Sequence, residues 1–151
     1  SRSSTLLLAS ALFLTLTPSV HAAVDETVPD AATLSQLELR AQQANPRDQC
    51  YLYTELVHTM TEVAVKQMVN GDDDQASVTL KKINNYAHLI STSLAKNTKR
   101  LKNAEMLMHQ PTLHLAQSLH LASEDNRTTV QATLKQLDLV QNQLLDQVFD
   151  H

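Results

Sequence analysis

Between residues 80 and 108 the chain reads LKKINNYAHLISTSLAKNTKRLKNAEMLM, and one pattern runs through it without a slip. Leu80, Ile83, Ala87, Ile90, Leu94, Asn97, Leu101, Ala104 and Met108 succeed one another in alternating steps of three and four. Such steps keep side chains on one stripe of an α-helix, and their strict alternation is the heptad spacing of coiled-coil-like packing. No glycine or proline interrupts the stretch. The spacing predicts one long helix running from about Asp74 to Pro111. Asn97 would be its single polar seam residue, a type that fixes register at some cost in stability. Lys96, Lys99, Arg100 and Lys102 fall outside the seam, and the simplest reading of them is a solvated basic face.

The rest of the chain suits the same fold class. There is one glycine, Gly71, and no segment alternates with period two over a useful length. Leu34, Leu37, Ala41 and Ala44 predict a short helix over 33–45. Asn45-Pro46 supplies a cap and a first-turn residue for a second helix, which ends before Gly71. Asp72, Asp73 and Asp74 then suit the positive end of the third helix. Pro111 removes one helix bond, and helical spacing resumes beyond it at Leu115, Leu119 and Ala122. Ser123 caps a last helix to about Phe149. The expected fold is all-α: antiparallel helical hairpins in a bundle, with one long helix kinked at Pro111. Reversal of the chain at Pro111 is the alternative, and it would give a compact four-helix monomer.

Residues 1–22, SRSSTLLLASALFLTLTPSVHA, have the layout of a secretory signal peptide. The apolar run Leu6–Leu16 is too short for a membrane span, which needs about 20 residues. Cleavage is expected after Ala22, followed by a flexible lead-in over 23–32 and a single helical domain over 33–151. An exported protein, periplasmic or extracellular, follows, with no stable membrane span after cleavage. The whole chain carries a formal charge of −4. Losing Arg2 with the leader makes the remainder more acidic still, which argues against nucleic acid as a partner.

Several residue groups invite a chemical reading. Glu105, Met106 and His109 share a helix face and form the best local metal candidate, but the set mixes hard and soft ligands and is incomplete. His109 and His120 lie roughly 16 Å apart along one helix, beyond the reach of a single ion. Glu55-Leu56-Val57-His58 matches the Glu-x-x-His element of di-iron bundles, yet the second copy such a site needs is missing. Met60, Met68 and Met108 are the sulfur candidates for haem ligation, and packing is the commoner role of methionine. Cys50 is the only cysteine. It borders the apolar stripe early in its helix, so it reads as a buried thiol, with a redox or intermolecular disulfide role as the alternative. No nucleophile–base pair or phosphate-binding loop is present in the sequence, so no enzyme activity and no cofactor is expected.

The blocks NPRDQCYLYTELVHTM, LAKNTKRLKNAEMLMH and TLKQLDLVQNQLLDQVF resemble a family of small, exported, uncharacterised bacterial helical proteins. The resemblance implies export and helicity and brings no activity, ligand or catalytic residue. The expected role is structural or protein-binding, with a periplasmic metal- or haem-binding bundle using His and Met ligands as the alternative. An extended long helix would leave the seam half covered. A protein partner or homodimer would then cover it through Leu80, Ile83, Ile90 and Leu94, helped by Tyr51 and Val65 from the second helix.

Overall fold

A computed structural model describes residues 28–94 and 98–150. The expected leader, Lys96 and the seam residue Asn97 lie outside the described residues. Every regular element among them is helical: α1 (Ala31–Gln43), α2 (Pro46–Val69), α3 (Asp73–Ser93), α4 (Leu101–Gln117), a 3-10 turn (Leu119–Leu121) and α5 (Glu124–Phe149).

Local chemistry sets most boundaries. The Asp30 carboxylate accepts the Thr33 backbone N–H at 2.8 Å and starts α1. The Asn45 side chain accepts the Arg47 N–H at 3.0 Å, with Pro46 at the first helical position of α2. Gly71, at φ 74°, makes the left-handed turn that ends this helix. The Ser123 hydroxyl accepts the Asn126 N–H at 3.2 Å and caps α5.

The predicted long helix does not form. Helix α3 ends at Ser93 and α4 begins at Leu101, so the chain reverses inside the heptad seam rather than at Pro111. Hydroxyl groups explain where the break falls. Thr92 and Ser93 turn their hydroxyls back onto the carbonyls of Leu89 and Ile90, at 3.0 and 2.8 Å. Thr98 donates to the Ser93 carbonyl at 3.0 Å. Ser and Thr offer backbone carbonyls a partner outside the helix ladder, which lets a helix stop without glycine. Arg100 then takes the left-handed conformation, φ 56° and ψ 33°, directly before α4. Pro111 sits buried inside α4, which continues to Gln117.

The result is a four-helix bundle with α1 laid against its side. Thr79 bonded to Gln67 marks the antiparallel α2–α3 hairpin. Gln141 bonded to His109 marks the antiparallel α4–α5 pair. His58 to Gln110 and Glu62 to His114 share one offset, so α2 and α4 run parallel. Asn126 to the Asp73 carbonyl and Ser91 to Gln143 place α3 parallel to α5. Helices α3 and α4 touch α2 and α5 but not each other, so they stand at diagonal corners, with Leu94 and residues 98–100 at one end of the bundle.

Both halves of the seam still face the interior. Leu80, Ile83, Ala87, Ile90, Ala104 and Met108 are fully buried, against Leu56, Val57, Met60, Val130, Leu137, Val140 and Leu144. The heptad pattern therefore reports the core-facing stripe correctly and the helix length wrongly. Threonines buried in this core turn their hydroxyls back along their own helices, as Thr54 does to Cys50 and Thr61 to Val57. No buried side-chain polar atom among the described residues lacks a partner.

Candidate functional site

The outer face of α2, between α1 and α4, carries hollows lined by side chains from all three helices. Tyr51 lies at its centre, half-buried, with the Arg100 guanidinium 3.6 Å from its ring centroid. That stacking uses the positive charge of Arg100 against the ring's negative face. Lys99 donates its backbone N–H to the Arg47 carbonyl at 2.9 Å, which fastens the chain ahead of α4 to the start of α2 and sets Arg100 in place. From α1, Arg40 reaches Glu55 of α2 at 3.3 Å.

Two hollows meet on this face. One, of about 490 Å³, lies at the α1–α2 turn and includes Arg40, Asn45, Asp48, Tyr51, Leu52 and Arg100 in its walls. The other, of about 260 Å³, shares Arg40, Tyr51 and Glu55 with it and continues to Leu37, His58 and Leu107. Together they form a groove whose walls mix half-buried Leu37, Tyr51, Leu52 and Leu107 with charged Arg40, Asp48, Glu55 and Arg100.

Histidines stitch α4 to its neighbours. His114 Nδ1 lies 2.7 Å from Glu62 of α2, and His58 Nε2 lies 3.0 Å from Gln110 of α4. His109 uses both ring nitrogens, Nε2 toward Glu105 and Nδ1 toward Gln141, each at 2.5 Å. A Gln141 amide donating to Nδ1 and a ring N–H donating to Glu105 satisfy all four groups with one neutral tautomer. The candidate trio of Glu105, Met106 and His109 is thus divided. Glu105 and His109 are tied to each other and to α5, while Met106 is 62% exposed. Among the described residues, no three His, Cys, Asp or Glu side chains are arranged to hold a metal ion. Met60, Met68 and Met108 are packed in the core.

Cys50 is fully buried, and burial pushes its thiol up from the ordinary 9.0 to about 11 against a smaller opposing effect of the Ser93 hydroxyl. Proximity to a helix start would lower it, and desolvation wins. The redox candidate is therefore a poor nucleophile in the folded chain.

Most of the interface residues expected from an extended helix are enclosed in the core. Leu80, Ile83 and Ile90 are fully buried and Val65 is 8% exposed, while Leu94 and Tyr51 are half-buried. The reason is the reversal at 94–100: it returns α4 and α5 onto the same stripe, and the chain covers its own seam. The second seam on α2, through Tyr51 and His58, is also met from within, by Arg100 and Gln110.

The sequence did not single out Arg40 or Leu107, and it placed Arg100 in a solvated basic face rather than against Tyr51. The signal for Arg100 was present in the hydroxyl-rich stretch Ser91-Thr92-Ser93 and in Thr98, which marks a helix end where the heptad runs on. No helix among the described residues is long and apolar enough to cross a membrane. The chain matches no protein-family model, and neither a curated protein nor a solved structure is significantly similar to it.

Proposed function

We propose that the protein is an exported helical bundle whose role is to bind another polypeptide along the α1–α2–α4 groove. The observation that carries this reading is the groove itself, in which Leu37, Tyr51, Leu52 and Leu107 line the walls beside the charged side chains of Arg40, Asp48, Glu55 and Arg100. Apolar contact surrounded by polar groups is the anatomy of a polypeptide interface. Tyr and Arg are also the side chains that dominate such contacts energetically. Export rests on the leader-like composition of residues 1–22.

Site-specific photocrosslinking in the producing cells tests the reading. A photoreactive residue at Thr59, in the groove, should capture a discrete polypeptide identifiable by mass spectrometry. The same residue at Lys135, exposed on α5 away from the groove, should not. Equal labelling from both positions, or none from Thr59, would reject a binding role for this groove. N-terminal sequencing of the exported form tests the other half. A chain beginning near Ala23 is expected, and one that keeps Leu6–Leu16 would contradict export by cleavage.

A further inference from the structure

The bundle is built from two hairpins. Helices α1–α3 form one and α4–α5 the other, and they pack through the α2–α4 and α3–α5 faces. Four bonds cross between them: His58 to Gln110, Glu62 to His114, Ser91 to Gln143, and Asn126 to the Asp73 carbonyl. Among the described residues α3 and α4 make no contact with each other, so parting these two breaks nothing between them. Seven residues, one heptad, separate Ser93 from Leu101. Turns of many lengths can join two core-facing helices. This length also keeps the buried Leu80, Ile83 and Ile90 in phase with Ala104, Met108 and Leu115, so the two helices can run on as one. Few contacts hold the reversal. Thr98 donates to the Ser93 carbonyl, the Lys99 N–H donates to the Arg47 carbonyl, and Arg100 stacks on Tyr51. Arg100 is also the one non-glycine residue at positive φ among the described residues, a conformation that disfavours side chains. No glycine or proline stands between Ser93 and Leu101 to enforce a turn.

We propose that two copies of this chain exchange their α4–α5 hairpins when they fold at high concentration, with α3 and α4 of each copy joined in one helix. Each α4–α5 hairpin then packs on the α1–α3 hairpin of the other copy, through the same α2–α4 and α3–α5 faces that close the monomer. That identity selects the partner: the face uncovered by opening is shaped for α4–α5 of this chain, and a second copy brings it. The exchange is mutual, so the dimer closes with two-fold symmetry. The geometry of the bundle permits it. Helices α3 and α4 are antiparallel at diagonal corners, and each turns its buried stripe to the bundle axis. Two long antiparallel helices fill those corners in both bundles only if one stripe faces inward along their whole length. Heptad phase between Ser93 and Leu101 provides that stripe. Straightening releases the left-handed Arg100 and adds helix bonds. It gives up the contacts of Thr98, Lys99 and Arg100 and the freedom of a second molecule. Within one chain, the short connection holds α4–α5 at an effective concentration on the order of millimolar. Dilute protein is therefore the reversed monomer, and exchange needs chains that fold at a comparable concentration. The inference is independent of what the groove binds.

Refolding from guanidinium tests this. Under reducing conditions at about 1 mM chain, a dimer should elute ahead of the monomer in size-exclusion chromatography with light scattering, whereas refolding at about 10 μM should give monomer. A crosslink then identifies exchange. Ser91→Cys with Gln143→Cys, in a Cys50→Ala background, puts thiols in place of two side chains that lie 2.5 Å apart across the α3–α5 face. On a denaturing gel, a short bis-maleimide should join them within one chain in the monomer and between two chains in the dimer. Arg100→Gly isolates the hinge. Glycine suits the left-handed turn and disfavours a helix, and the gain at both hinges outweighs the lost Tyr51 stack. This variant should give at least about tenfold less dimer at the higher concentration. Its monomer peak at the lower concentration shows that it folds. A parent that refolds only to monomer at the higher concentration would overturn the proposal. So would a dimer whose crosslink stays within one chain, or one that Arg100→Gly leaves undiminished.

Discussion

At the residue scale, the bundle depends on side chains that the heptad pattern marks and the fold encloses. Ile90 is fully buried where α3 meets its neighbours. Truncation to alanine removes apolar contact and leaves a cavity, so Ile90→Ala should lower unfolding free energy by about 2–5 kcal/mol in a denaturant melt. An interface residue would behave differently: association would fall and the stability of a single chain would hold. Cys50 gives a pH-dependent signature. Its folded pKa is raised, so its contribution to stability is complete below the unfolded value of 9.0 and is lost as pH rises toward about 11. In the unfolded chain the thiol ionises first and draws the equilibrium toward unfolding. Stability measured from pH 8.5 to 11 should therefore fall more steeply for the parent than for Cys50→Ala. A thiol reagent should label Cys50 slowly in the folded protein and at once in guanidinium. Parallel stability profiles for parent and variant, or fast native labelling, would contradict the burial of this group.

At the scale of elements, caps and turns should matter in proportion to the contacts they support. Ser123→Ala removes the only side-chain cap of α5, the helix that closes the core, and should cost about 1 kcal/mol. Gly71→Ala offers a cleaner case. A methyl group at Gly71 would meet nothing within 4 Å, yet the φ of 74° disfavours any side chain. Its cost, about 1 kcal/mol, should therefore come from the backbone alone. Asparagine, which tolerates this conformation better than alanine, should recover part of it in the same melt. The element scale is also where sequence and structure part company. Helices 46–69 and 124–149 were readable from their punctuation in Asn45-Pro46, Gly71 and Ser123. The first helix was read from the spacing of Leu34, Leu37, Ala41 and Ala44 as 33–45 and in fact spans Ala31–Gln43, because the Asp30 cap starts it inside the expected lead-in. The α3–α4 break was not readable, because residues 80–108 hold neither glycine nor proline and the heptad keeps perfect phase across the turn. Phase survives because both helices present the same stripe to one core. Hydroxyls on Thr92, Ser93 and Thr98 make the turn, and their effect is invisible to hydrophobic spacing. The groove inherits that blindness, since Arg100 reaches Tyr51 only once the chain has reversed. Pro111 behaves as its spacing predicts, lying inside a helix that continues to Gln117, and the reversal offered there as the alternative falls between α3 and α4 instead.

At the scale of the whole molecule, reversal wins over extension because of what each leaves exposed. A single helix through Pro111 would place Leu80, Ile83 and Ile90 against one neighbour, and each such side chain gains about 1.5–3 kcal/mol on full burial. Closing the short connection 94–100 costs far less, since loop-closure entropy grows only logarithmically with length. Folding back also places the basic segment at one end of the bundle and creates the groove, so architecture and proposed function stand on the same seven residues. The most direct test of that reversal is one distance within one chain. Gln75, near the start of α3, and Gln117, at the end of α4, are both exposed. Spin labels at these positions in a Cys50→Ala background can be measured by pulsed electron resonance in magnetically dilute samples. The bundle puts both labels at the same end, on diagonal corners roughly 14 Å apart between axes, so a distribution centred at or below roughly 30 Å is expected. A continuous helix would separate them by roughly 63 Å. A distribution centred near that longer value would contradict the reversal, the bundle and the groove together.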